Sequence, residues 1–87
     1  MELKVHVYNR ILKSLYLPRG ISFAPIKDGS FVKENTNGSF VIILRSGNKD
    51  RTITLDGNLN VDEPEGIERF KALIGSIIED FRKSLNE

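Results

Sequence analysis

The sequence predicts an α+β fold, an antiparallel sheet of three or four strands over about residues 21–55 packed by a long C-terminal amphipathic helix over about 63–85. Three observations carry this. Turn signals recur through the middle of the chain, Phe40-Val41-Ile42-Ile43-Leu44 is an unbroken apolar run, and the last third spaces its apolar residues by three and four.

The first element is a helix over about residues 3–16, because Leu3, Val7, Tyr8, Ile11, Leu12 and Leu15 share one helical face. Leu3, Val5 and Val7 also alternate as in a strand, so a strand-like opening stays open. Pro18-Arg19-Gly20 ends the element. Between Ile21 and Leu55, short β-branched or aromatic runs are broken by Asp28-Gly29, Asn37-Gly38 and Ser46-Gly47-Asn48, the pattern of successive hairpins. Strands are expected over 21–26, 30–35, 39–45 and 51–55. The third is apolar on both faces and is expected to be central and covered on both sides, by the C-terminal helix on one and by the N-terminal helix or a second subunit on the other. In the last helix, Ile67, Phe70, Ile74, Ile77, Ile78, Phe81 and Leu85 form the apolar stripe. Asp62 is the expected N-cap, with Glu65 completing a capping box and Pro64 in the first turn.

The chain has 87 residues and no interdomain linker, so residues 1–87 are read as one small domain. A chain this short buries only roughly 60–65% of its unfolded surface, which makes dimerisation a ready source of further burial and a homodimer the expected state. The absence of cysteine excludes disulfides, thiol nucleophiles and thiolate zinc sites. The N-terminal residues lack the pattern of a secretory signal and no run is long enough to span a membrane, so a cytoplasmic location, in a host cell if the gene is of phage or mobile-element origin, is expected. Asn37-Gly38-Ser39 is accordingly read as a turn and not as a glycosylation site.

Catalytic chemistry finds few parts. His6 is the one histidine and has no cysteine or activated serine to work with, and Glu79 and Asp80 are adjacent on a helix and diverge. Asp56, Asn58, Asn60 and Asp62 alternate like the start of a calcium loop, but Val61 and Ile67 stand where glycine and a bidentate glutamate are needed. The glycines punctuate hairpins and do not form a phosphate loop. A non-enzymatic protein without metal or cofactor is expected.

One constellation has binding chemistry. Lys27, Phe31, Lys33, Phe40, Arg45, Lys49 and Arg51 fall within or beside the predicted hairpins, mixing cations for phosphate with rings for stacked bases. The charge distribution agrees, with a net +5 over residues 1–55 and −4 over 56–87. The competing reading makes Phe31 and Phe40 core residues and the cations ordinary solvated edge residues.

The stretch from Gly29-Ser30-Phe31-Val32-Lys33 through Gly38-Ser39-Phe40 to Arg45, then Arg51-Thr52-Ile53-Thr54-Leu55 and the helix from Glu65 to Leu85, resembles in layout the transcription positive-cofactor-four family of single-stranded DNA-binding proteins. The resemblance covers about two-thirds of the chain. It implies a homodimer joined through the helices, with Lys33, Arg45, Lys49 and Arg51 on phosphates and Phe31 or Phe40 stacking on bases. The family's helix tryptophan is absent, Phe70 being the nearest substitute, and residues 1–20 have no counterpart. The helix, three strands and helix order is also that of double-stranded RNA-binding domains, whose second helix opens with lysines where this chain has Asp62, Glu63 and Glu65. The expected function is therefore a non-enzymatic accessory protein binding single-stranded DNA, the alternative being a small protein-binding adaptor or inhibitor whose acidic patch meets a basic partner.

Overall fold

The computed structural model describes residues 3–26 and 28–86. Helix α1 (Lys4–Ser14) is followed by strands β1 (Ser22–Phe23), β2 (Val32–Glu34), β3 (Phe40–Ser46) and β4 (Lys49–Leu55), and helix α2 (Pro64–Ser84) closes the chain. The α+β architecture is as the periodicities predict. The strands differ in extent for local reasons. Pro25 has no N–H to donate and Ile26 turns back to Ser30 (2.9 Å), so the segment predicted over 21–26 keeps only two strand residues. At the other hairpin the loop is only Gly47-Asn48, with Gly47 at φ +61° in the first central position, and pairing runs on through Lys49 and Asp50.

All pairings are antiparallel and centre on β3. β4 runs along the whole of it, from Phe40↔Leu55 to Ser46↔Lys49. β1 takes Arg45 and Leu44, and β2 takes Ile42, Val41 and Phe40. A strand has two edges, so β1 and β2 share one edge of β3, in line but interrupted, while β4 holds the other.

The two-residue period of β3 puts Phe40, Ile42 and Leu44 on one face, all buried, and Val41 and Ile43 on the other, both only half-buried. Register extends the buried face to Val32, Phe23, Ile53 and Leu55. Both helices cover this same face. Tyr8 of α1 places its ring 4.8 Å from Phe40 and 4.7 Å from Phe70 of α2, a three-ring cluster that joins all the layers. The expectation that α1 could cover the second face of β3 is thus corrected: α1 lies beside α2 on the same face, and the far face has no covering element of this chain among the described residues. Val41 and Ile43 raise the apolar content of the strand without entering the core.

The start of α2 also departs from the expected cap. Glu63 occupies the N-cap and makes no side-chain cap bond, while Asp62 lies one residue outside the helix, its N–H donating to Asn60 Oδ1 (3.3 Å). Pro64 fixes the first helical residue, and Glu65 pairs forward with Arg69 (2.6 Å) in place of closing a capping box. The first turn is pressed onto the preceding loop at Gly66. An added Cβ would lie 1.6 Å from the Asn60 carbonyl oxygen, so only glycine fits there.

Candidate functional site

The β3 register decides where the predicted binding residues point. Lys33 lies opposite Val41 and Arg45 opposite Asp50, so both belong to the uncovered face. Lys49 and Arg51 lie opposite Ser46 and Leu44, on the helix-covered face. The two faces of the sheet therefore divide the cations.

Two of them are already engaged. The Arg45 guanidinium donates to both Asp50 oxygens, at 2.9 and 3.2 Å. This hydrogen bond, with the attraction of the opposite charges, reinforces the charged form of Arg45 and holds the Asp50 carboxyl below its ordinary range, while desolvation opposes both effects. Arg51 Nη1 donates to Asp80 Oδ2 of α2 at 2.6 Å, and its guanidinium lies 5.4 Å from the centre of the Phe81 ring. Lys33 and Lys49 are exposed. Lys27 lies outside the described residues.

The rings do not join the cations. Phe40 is only 3% exposed and meets Tyr8 edge to face, so no base can reach it. Phe31 is half-buried, its ring 5.7 Å from that of Phe23 and its N–H donating to Asn9 Oδ1 (2.9 Å), which ties it to α1. The predicted set is thus dispersed over two sheet faces, the core and the α1 side. Phe40 is corrected to a core residue: it shares the parity of Ile42 and Leu44.

The structure brings other groups together. Where β4 runs beside α2, Arg51, Thr52, Ile53 and Thr54 face Ser76, Ile77 and Asp80 across an open cleft of about 460 Å³. The main chain of β4 contributes directly. Ile43 O accepts the Ala24 N–H at 2.8 Å on the β1 side of β3, so the polar groups of Ile43 point away from β4. The N–H and C=O of its partner Thr52 must then point away from β3 as well, toward the free edge, and alternation gives Asp50 and Thr54 the same orientation. Among the described residues these outward strand donors and acceptors have no partner. Sequence reading missed the site because it counted side chains, although Leu73 and Ile77 form a second apolar row beside the Phe70, Ile74, Ile78, Phe81 stripe.

A second cleft of about 500 Å³ lies between α1 and β2, where His6, Asn9 and Lys13 face Ser30, Lys33 and Glu34. Among the described residues there is no cluster of side chains able to hold a metal ion, and no helix is long and apolar enough to cross a membrane. No protein-family model, curated protein or solved structure matches this chain.

Proposed function

We propose that this chain is a non-enzymatic binding module that acts by strand addition, taking an extended segment of another polypeptide along the free edge of β4. The supporting observation is the asymmetry of the sheet's two edges. One is broken into strands of two and three residues with Pro25 between them, whereas β4 presents seven residues without proline or interruption. Such an edge, unless guarded, pairs with whatever strand is supplied. On the helix side of this edge Arg51 is neutralised by Asp80, which leaves Lys49, at the turn end of the strand, as the exposed cation there. The adjoining cleft has room for an added strand's side chains, with Ile77 offering an apolar contact on the helix side.

The test is a peptide-display selection on the immobilised domain, followed by amide-shift mapping of the selected peptides on isotope-labelled protein. Strand addition requires the largest shifts at Asp50, Thr52 and Thr54, and loss of binding in Thr52→Pro, which removes an outward N–H without touching the β3 ladder. Binders that map to the α1–β2 cleft instead would overturn it.

Single-stranded DNA is the rival partner. It is favoured by Lys33 and Lys49, which are exposed and form no ion pair among the described residues. Fluorescence anisotropy with a labelled oligonucleotide at low salt separates the readings: strand addition expects no binding at tens of micromolar protein, and salt-sensitive binding weakened by Lys33→Glu would favour DNA.

A further inference from the structure

We infer that the strand added to β4 is the β4 of a second copy of this chain, antiparallel and two-fold symmetric about Thr52. This rests on the strand-addition reading and names its occupant. Only residues whose main-chain groups point outward can bond across the new seam, and these are Asp50, Thr52 and Thr54. Three two-fold registers keep those residues in use, and the charges on the strand discriminate among them.

With Thr52 opposite Thr52, the seven residues of the two strands overlap completely. Asp50 then faces Thr54 of the second copy, whose hydroxyl can donate to the carboxylate. On the helix side Arg51 faces Ile53 and Lys49 faces Leu55, so no like charges stand opposite each other. A shift of two residues in one direction sets Arg51 against Arg51. The same shift in the other direction sets Asp50 against Asp56 at both ends. Both shifted registers shorten the overlap and oppose like charges, so the central one is selected.

The helices favour the same arrangement. A two-fold axis perpendicular to the sheet leaves both α2 helices on the same face, flanking the seam. Ile77, which lines the cleft beside Thr52 and Ile53, and Leu73, one turn earlier and 40% exposed, then lie toward the second copy. The seam adds about six main-chain hydrogen bonds, two for each mutually bonded pair. The result is a single continuous sheet whose remaining outer edges are the short, proline-interrupted ones, so growth stops at two chains.

Sedimentation equilibrium of the full chain from micromolar to millimolar concentration tests this, alongside Thr52→Pro. The wild type is expected to be a reversible dimer. Thr52→Pro deletes the two central bonds, one from each copy, and is expected to weaken association by about twenty-five-fold, since each bond contributes about fivefold. Because the chain has no cysteine, a single Thr52→Cys substitution gives a clean register probe. A short bis-maleimide should join Thr52→Cys chains efficiently and leave Lys33→Cys chains, labelled at the far edge of the same face, unjoined. A dimer that tolerates Thr52→Pro, or equal cross-linking at both sites, would overturn the proposal. A chain monomeric at millimolar concentration would overturn it too, yet if that monomer still captures displayed peptides on β4, strand addition itself stands. A monomer that captures none ends both.

Discussion

Replacing Tyr8 by phenylalanine should stabilise this protein. The Tyr8 side chain is fully buried where α1, β3 and α2 meet, and its hydroxyl has no hydrogen-bond partner among the described residues. An unpaired buried hydroxyl costs about 1–3 kcal/mol of desolvation, which phenylalanine avoids while keeping the contacts with Phe40 and Phe70. A gain of about 1 kcal/mol is expected, which for a domain of this size raises Tm by about 4–8 °C. In urea, with a slope near 1–2 kcal/mol per molar, the midpoint should rise by about 0.5–1 M at unchanged slope. Tyr8→Ala, which empties the same site, should cost about 3–5 kcal/mol. The hydroxyl also has a pH signature. Burial raises its pKa above the usual 10.0, with Asp56 adding to the effect. The unfolded chain therefore loses this proton first, and stability should fall as pH climbs through 10.0 toward the folded value. Tyr8→Phe should flatten that decline. Urea titrations at neutral and alkaline pH read both effects, and a lower midpoint for Tyr8→Phe would refute the reasoning by showing that the hydroxyl is paired in solution.

Other substitutions probe other joints. Gly66→Ala should cost at least about 3 kcal/mol or prevent folding, because its Cβ would overlap the Asn60 carbonyl, whereas Gly75→Ala, exposed on the same helix with nothing within 4 Å, should stabilise by about 0.5–1 kcal/mol; circular dichroism melts decide. Arg51→Ala removes the Asp80 pair and the contact over Phe81 and should cost about 1 kcal/mol in the same melts, a loss that Arg51→Lys recovers only in part. The hydrogen bonds from Arg45 to Asp50 and from Arg82 to Glu79 hold both carboxyls below their ordinary values of 3.8 and 4.5. Their contribution is present above those values and should fade as pH falls below them, so Asp50→Asn combined with Glu79→Gln should reduce the acid-side dependence of the urea midpoint.

Repeated spacing made the helices and the central strand legible in the sequence. Phe70, Ile74, Ile78 and Phe81 recur at the helical period, and no other assignment buries them all. Facing was not legible, because it depends on register. A two-residue turn at Gly47-Asn48 sets Arg45 against Asp50 and Arg51 against Leu44, and thereby sends two nearby arginines to opposite faces of the sheet. A turn one residue longer would have changed that outcome, and local composition does not count turn residues reliably. The helix start failed for a similar reason: Asp62 and Pro64 both signal a beginning, and the fixed φ of proline prevailed over the cap. The free β4 edge was invisible for another cause, since main-chain groups leave no letter in a sequence. Phe40 could have been assigned to the core, because it alternates in step with Ile42 and Leu44.

The detour between β1 and β2 makes the chain spliceable. The two strands lie on one edge of β3, and the turn closed by Ile26 and Ser30, with Asp28 and Gly29 exposed and both at positive φ, stands outside the ladder. Foreign sequence grafted between Asp28 and Gly29 would lengthen only that excursion, at a closure cost that grows slowly with length. The molecule thus has a port for an epitope or reporter on the edge remote from β4.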